Sequence, residues 1–199
     1  MIRTPEALIP YIVAAACVVS GGLWHAAEEL APTNRIVTVG VPKVGGPFAL
    51  LDQNGETRTD RDFRGRWMLI YFGYTNCPDV CPTSLALMSD VMTRLGGRAP
   101  RVVPIFITVD PDRDTPQVMK QYLASFGPKF VGLTGPKSHI ASAASEYRVY
   151  VARRPAKDGG YAVDHSNVIY LMDPAGKFAA NYDNSQGPEE IAADLKKRL

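Results

Sequence analysis

Cysteine and histidine are both scarce in this chain, with three residues of each among 199. Three cysteines are too few for a disulfide framework, and Cys17 lies in an apolar N-terminal stretch, so one pair remains in the rest of the chain. A lone cysteine pair in a short motif indicates redox chemistry or metal binding more often than structural cross-linking. Those two classes of function therefore come first.

Long basic runs are absent as well, because 22 Lys and Arg residues nearly balance 20 Asp and Glu residues and give a formal net charge of +2. The short cluster Lys196-Lys197-Arg198 is typical of the last turn of a helix, where cations suit the helix dipole. A nucleic-acid surface needs clustered positive charge. We therefore expect no nucleic-acid partner.

Charged side chains are missing from residues 7–27, which lie between Glu6 and Glu28. A helix needs about 20 residues to cross the hydrocarbon core of a bilayer, so this stretch predicts a single transmembrane anchor. Arg3 precedes the stretch and acidic residues follow it, so the positive-inside rule predicts a cytoplasmic N-terminus. A cleaved signal peptide is the alternative, although the apolar region of such a peptide is usually about 7–15 residues long.

The chain divides on this basis into four segments of a single-pass protein of the bacterial inner membrane. Proline and glycine are frequent between the apolar stretch and residue 47, which predicts a linker that lifts a periplasmic domain off the membrane. The predicted segments are a cytoplasmic tail at 1–6, a transmembrane anchor at 7–27, a linker at 28–46 and a folded domain at 47–199.

Apolar patterns beyond the linker alternate between strands and helices. The nearly continuous apolar run at 67–74 predicts a buried strand, and the three- and four-residue spacing of apolar residues over 82–95 predicts a helix. Asn54-Gly55 predicts a tight hairpin between 48–52 and 56–59. The later segments are a strand at 102–109, helices at 116–126 and 137–147, strands at 129–133, 168–172 and 177–181, and a helix from Pro188.

This order predicts an α/β domain of the thioredoxin-like kind, with a mixed sheet flanked by helices. We also predict a hairpin at the N-terminus of the domain and a single transmembrane helix at the N-terminus of the chain. The cysteine motif C-P-D-V-C-P, from Cys77 to Pro82, comes directly after the first long strand. The spacing predicts both sulfurs on one side of the first helical turn, where the helix dipole favours thiolates.

His165 is the best candidate for a third ligand beside Cys77 and Cys81, and Asp164 is placed to orient its imidazole. Taken alone, a single histidine is more often a structural residue than a ligand. Two thiolates and one imidazole suit copper, because Cu(I) accepts few, soft ligands and Cu(II) could add an oxygen. Zinc stays open: structural zinc needs a fourth ligand that is not evident, whereas catalytic zinc accepts Cys₂His and water.

Acidic residues alternate in a second motif, at Asp110, Asp112 and Asp114, in the manner of the start of a calcium loop. The glycine and the distal glutamate of an EF-hand are missing, so we do not predict calcium binding. We expect instead a loop that caps the following helix and faces a partner.

Three sequence segments together resemble the signature of the Sco/SenC family of copper proteins. They are Y-F-G-Y-T-N-C-P-D-V-C-P-T at 71–83, V-D-P-D-R-D-T-P at 109–116 and V-D-H-S at 163–166. The short runs G-P-F at 46–48 and D-Q-N-G at 52–55 fit the same family. The similarity spans about residues 45–199 and extends to the single-span anchor.

This resemblance implies a membrane-anchored, thioredoxin-like copper metallochaperone rather than an enzyme. Family members are implicated in delivering copper to the dinuclear copper site of cytochrome c oxidase. By resemblance, Cys77, Cys81 and His165 are ligands of copper, carried as Cu(I), Cu(II) or both. The expected partners are the copper-bearing subunit of cytochrome c oxidase and a periplasmic copper donor or thiol reductant.

A thiol–disulfide reductase is the alternative function, with Cys77 and Cys81 as a redox-active pair that keeps the partner's copper-ligand cysteines reduced. His165 discriminates between the two, because thiol–disulfide exchange does not require an imidazole. A peroxiredoxin-like enzyme is a third hypothesis, and it would need a threonine and arginine environment around one cysteine.

Overall fold

The computed structural model describes residues 43–127, 129–156 and 159–199. The predicted cytoplasmic tail, the transmembrane anchor at 7–27 and most of the linker lie outside the described residues, and these assignments stay predictions. Among the residues that are described, no helix combines the length and the apolar character needed to cross a bilayer.

Strands and helices alternate through the first part of the domain, and strand pairs dominate the second. The strands are β1 (Ala49–Asp52), β2 (Thr57–Thr59), β3 (Trp67–Gly73), β4 (Val102–Thr108), β5 (Val131–Thr134), β6 (Val151–Pro155), β7 (Tyr161–His165), β8 (Ile169–Met172) and β9 (Phe178–Tyr182). The helices are α1 (Val80–Leu95), α2 (Pro116–Ala124), α3 (Lys137–Glu146) and α4 (Pro188–Arg198). Short 3₁₀ turns cover Asp60–Phe63 and Gly96–Arg101.

Seven of these strands form one mixed sheet in the order β2-β1-β5-β4-β3-β8-β9. The central strands β3, β4 and β5 are parallel, whereas β1 and β2 on one side and β8 and β9 on the other are antiparallel. The predicted mixed sheet with flanking helices and an N-terminal hairpin is confirmed. The strands β6 and β7 form a separate antiparallel ribbon, called here the histidine ribbon because it ends at His165.

The core of the domain is built on β3 and β4. Every residue of β4 is buried, and so are all residues of β3 after Trp67. Strands buried on both faces need apolar side chains on both, which explains the unbroken apolar runs. The carboxyl end of β3 is therefore a rigid point from which the cysteine motif starts.

The histidine ribbon was not predicted from the sequence. Its register pairs Val151 with His165 and Pro155 with Tyr161. The segment of β6 reads V-A-R-R-P and is mostly exposed, so it lacks the alternation that indicates a strand. His165 was expected in a loop before a strand, and it is instead the last residue of β7.

The acidic loop after β4 was expected to face a partner. Two of its three aspartates are instead buried in the domain. Asp110 and Asp114 are fully buried and only Asp112 is exposed. Asp114 and Thr115 are both possible caps of α2 by sequence, and the structure shows that Thr115 is the cap, since its hydroxyl accepts from the amide of Val118 at 3.3 Å. The loop is therefore a structural part of the domain.

Asp114 ties the cysteine loop to the end of β4. Its carboxylate accepts from the amide and the hydroxyl of Thr75, at 3.1 and 2.6 Å, and from the hydroxyl of Thr108 at 2.5 Å. Burial raises the pKa of Asp114, against the opposing effect of these hydrogen bonds. Removing the carboxylate would leave several donors of the domain interior without a partner.

We expect Asp114→Ala to lower the free energy of unfolding by about 2–4 kcal/mol, because orphaned buried donors cost about 1–3 kcal/mol each. Urea unfolding followed by tryptophan fluorescence measures the loss. Asp90→Ala is the matched control, since Asp90 is exposed on α1. Equal stability of the two variants would contradict this role of Asp114.

Candidate metal centre

The two cysteines lie on different local structures. Cys77 lies in the loop between β3 and α1 and is half-buried, whereas Cys81 is in the first turn of α1 and fully buried. The expectation that one helical turn would carry both sulfurs is wrong, because α1 begins at Val80. The loop is held by the amide of Cys77, which donates to the carbonyl of Tyr74 at 3.3 Å.

The structure brings His165 to both sulfurs. Its Nε2 lies 3.3 Å from Cys81 Sγ, and the ligand atoms of Cys77, Cys81 and His165 all lie within 4.8 Å of one another. Both cysteines are free thiols. Three potential metal ligands from a loop, a helix and a ribbon thus converge on one point.

The imidazole is held with Nε2 toward the sulfurs. Its Nδ1 lies 3.1 Å from the carbonyl oxygen of Ser166, and since a carbonyl only accepts, Nδ1 carries the proton in this pair. The rings of Tyr71 and Tyr74 meet the imidazole edge-on, with centroids 6.0 and 5.9 Å away. Nε2 is therefore left with its lone pair free for a metal or for the thiol proton.

The sequence suggested that Asp164 orients this imidazole, but the structure shows a different partner for Asp164. Its carboxylate forms an ion pair with Arg154 of the neighbouring strand. The acceptor that orients the ring is the main-chain carbonyl of Ser166, and no sequence motif predicts this contact. Burial lowers the pKa of His165, with weaker opposing contributions from Ser166 and the Asp164 charge, so the ring is neutral near pH 7.

Cys81 is a protonated thiol in the metal-free protein. Burial raises its pKa well above the ordinary thiol range, which opposes the thiolate expected from the helix dipole. Desolvation of a fully buried sulfur outweighs the helix dipole, which acts only over the first turn. The thiol proton is within reach of His165 Nε2, and a soft cation would replace that proton.

A polar network supports the site beneath Cys81. The hydroxyl of Tyr71 donates to Asn167 Oδ1 at 3.0 Å and lies 4.0 Å from Cys81 Sγ. The hydroxyl of Ser84 lies 3.1 Å from the same amide oxygen and 2.9 Å from Asn184 Oδ1. These residues were missed by sequence reasoning, because polar side chains 13 to 113 positions apart carry no pattern of their own.

Gly73 permits the close packing of the sulfur against the sheet. A Cβ at this position would lie 2.9 Å from Cys81 Sγ and 2.8 Å from a ring carbon of Phe106. Contacts this short do not occur for real side chains, so a larger residue would displace the sulfur or the ring. The last residue of β3 thus sets how deep Cys81 lies.

The ligand set favours a soft ion of low coordination. Within the described residues, the group contains two cysteines and one histidine and no fourth cysteine, histidine or carboxylate ligand. Structural zinc is held by four closed ligands, whereas copper accepts two thiolates and one imidazole. Cys77 is the more exposed of the two thiols, so a further ligand could approach the site from the side of Cys77.

Comparisons with known proteins identify the family to which this chain is similar. A family model described as SCO1/SenC matches residues 38–199. The human protein named "Protein SCO1 homolog, mitochondrial" is 40% identical over 180 residues, which cover 87% of this chain and 60% of the human protein. The chain thus spans about three fifths of the length of that relative.

Solved structures of the same family share the fold. Bradyrhizobium japonicum ScoI, solved with copper bound, is 52% identical with a TM-score of 0.74 over 78% of this chain and 99% of its own. BsSco, a member of the Sco family of cytochrome c oxidase assembly proteins in which a disulfide switch is identified, is 27% identical with a TM-score of 0.64 over 79% and 94%.

The two thiols should differ in reactivity. We expect iodoacetamide at neutral pH to modify Cys77 roughly ten times faster than Cys81, because Cys81 is buried and holds its proton. Both cysteines lie on the tryptic peptide 67–94, so tandem mass spectrometry of its fragments follows each site with time. The urea-unfolded chain is the control and should react at similar rates at both positions; faster labelling of Cys81 in the folded protein would contradict the assignment.

Proposed function

This chain belongs to the SCO1/SenC family, and we propose that it is a copper metallochaperone that delivers copper to the dinuclear copper site of cytochrome c oxidase. The observation that carries the proposal is the convergence of Cys77, Cys81 and His165, whose ligand atoms lie within 4.8 Å of one another. We propose these three residues as the copper ligands.

Copper suits these ligands for chemical reasons. Two thiolates supply the soft donors that Cu(I) prefers, and a neutral imidazole also binds Cu(II). The ScoI relative is solved with copper bound, and the match to this chain covers nearly the whole length of the ScoI chain. The same three side chains accommodate both oxidation states, if an oxygen ligand joins Cu(II).

The three proposed ligands differ in their exposure and therefore in their roles in copper binding and release. Cys81 and His165 form the buried half of the site, where a displaced proton leaves a thiolate beside a neutral imidazole. Cys77 forms the accessible half, where a thiolate of the partner protein exchanges for it first. We propose that transfer proceeds by such stepwise ligand exchange to the copper-bearing subunit of cytochrome c oxidase.

We also propose the placement of the chain in the cell. Residues 7–27 would form a single-pass anchor in the bacterial inner membrane, with residues 1–6 in the cytoplasm, residues 28–46 as a linker and the domain at 47–199 in the periplasm. The uncharged length and the positive charge before it support this topology. A periplasmic copper donor and a thiol reductant would then be accessible to the domain.

A thiol–disulfide reductase is the second candidate. The two sulfurs are free and close to each other, and a disulfide switch is identified in the BsSco relative. In such a reaction Cys77 would attack a partner disulfide, forming a mixed disulfide, and Cys81 would then displace the partner's thiol and leave the Cys77–Cys81 disulfide. An external dithiol would have to reduce that disulfide before another cycle.

His165→Ala separates the two functions. We expect Cu(I) affinity to fall by at least about a hundredfold, since even loss of a residue outside the ligand shell costs 10–100-fold. Competition with a chromophoric Cu(I) chelator measures the affinity, and reduction of a model disulfide should stay within about twofold of wild type. His139→Ala is the control, because His139 is exposed, lies with its Nδ1 3.2 Å from the carbonyl oxygen of Ala49 and is not part of the candidate ligand group. Unchanged copper affinity of His165→Ala would refute the ligand set.

Copper affinity should also depend on pH. Burial raises the pKa of Cys81, so its thiol holds a proton across the neutral range and copper must expel it. We expect affinity to fall about tenfold per pH unit for each expelled proton as the pH drops from about 8 to about 6. Chelator competition at several pH values gives the slope. Cys81→Ser should reduce that slope, and a pH-independent wild type would contradict thiolate ligation.

A further inference from the structure

The histidine ribbon depends on side chains for its position. Within the part of the chain that the structure describes, its two strands pair only with each other and share no backbone hydrogen-bond ladder with the seven-stranded sheet. Cys77 and Cys81, in contrast, follow directly from the central strand β3. The distance from imidazole to sulfurs is therefore set by whatever docks the ribbon on the domain.

A cluster of four residues provides such a docking contact, and we call it the Asp110 clasp: Asp110, Arg113, Arg153 and Tyr161. The carboxylate of Asp110 is fully buried just after β4. It accepts from Nη2 of Arg153 at 3.0 Å, from the hydroxyl of Tyr161 at 2.8 Å and from Nε of Arg113. A buried carboxylate with two guanidinium partners is strongly held in place.

Both arginines of the clasp contact the ring of Tyr161. The guanidinium carbon of Arg113 lies 4.0 Å from the centroid of Tyr161, and that of Arg153 lies 4.6 Å from it. Nη1 of Arg113 also donates to the main-chain carbonyl of Tyr161 at 3.2 Å. Arg153 lies on β6 and Tyr161 on β7, so the clasp fastens both strands of the ribbon to the acidic loop.

The strand β7 connects the clasp to the metal centre. Tyr161, Val163 and His165 are two residues apart along the strand and therefore share one face. Val163 on that face is buried. Drawing Tyr161 onto Asp110 thus turns the face that carries His165 toward the domain, where Cys81 lies.

We infer that the Asp110 clasp positions His165 for the metal ion, an inference that rests on the proposed ligand set. Asp110, Arg113, Arg153 and Tyr161 are positioning residues, and none of them belongs to the candidate ligand group. Weakening the clasp loosens the imidazole while the cysteine loop, held separately by Asp114, stays in place. The site then retains its dithiol and loses its third ligand.

Tyr161→Phe is the mildest change that tests this inference, because it removes one hydroxyl from Asp110 and keeps the stacked ring. It is made in two backgrounds, wild type and His165→Ala, and Cu(I) affinity is measured in each by chelator competition. We expect about a tenfold loss in the wild type, the cost typical of an outer residue that orients a ligand. In His165→Ala we expect a change of less than about twofold, since the positioned ligand is already gone.

Nitrogen hyperfine coupling in the electron paramagnetic resonance spectrum of the Cu(II) form gives a second measure, and it should weaken in Tyr161→Phe. Arg153→Gln should act in the same direction and provides a second variant if Tyr161→Phe unfolds. Tyr150→Phe is the matched control, because Tyr150 precedes the ribbon and is 64% exposed. It should leave both measures unchanged.

Three outcomes would overturn the inference. Equal losses in both backgrounds would show a general structural role, and no loss in the wild type would show that the clasp does not act on the imidazole. Wild-type copper affinity in His165→Ala would refute the ligand set itself, and the clasp with it. The first two results leave the proposed copper function intact.

Discussion

The contact between Cys81 Sγ and His165 Nε2, at 3.3 Å, is the interaction on which the candidate metal centre depends. The two residues are 84 positions apart, so the contact exists only if the start of α1 and the end of the histidine ribbon are both placed correctly. Gly73 admits the sulfur to the sheet, and the Ser166 carbonyl turns the imidazole toward it. These two local contacts therefore determine whether the sulfur and the imidazole can meet.

Burial determines the charge of this contact. It raises the pKa of the Cys81 thiol and lowers that of the His165 imidazole, so the metal-free pair is neutral and stable in a desolvated position. A buried thiolate without a counter-charge would be costly, and a soft cation removes that cost as it displaces the proton. The same arrangement makes Cys81 a slow nucleophile, so the half-buried Cys77 is the more accessible thiol in either proposed function.

Sequence reasoning identified the elements that local patterns determine. The runs at β3 and β4 are apolar on both faces because both faces are buried, and the family signature implied the ligand set. The histidine ribbon was missed because V-A-R-R-P is too exposed to alternate, and its partners are side chains of another loop. The aspartates were expected at the surface because burial of a carboxylate depends on donors, such as Thr75 and Tyr161, that are distant in sequence.

The acidic loop after β4 joins these observations. Asp114 accepts from Thr75 and so fixes the cysteine loop, while Asp110 accepts from Tyr161 and so fixes the histidine ribbon. The two aspartates are themselves connected, since the amide of Asp114 donates to the carbonyl of Asp110 at 3.0 Å. One short turn thus holds both halves of the site at a set distance without supplying a ligand. The geometry of the metal centre therefore depends on the shape of residues 110–114, because a change in the distance between Asp110 and Asp114 would alter the distance between sulfur and imidazole.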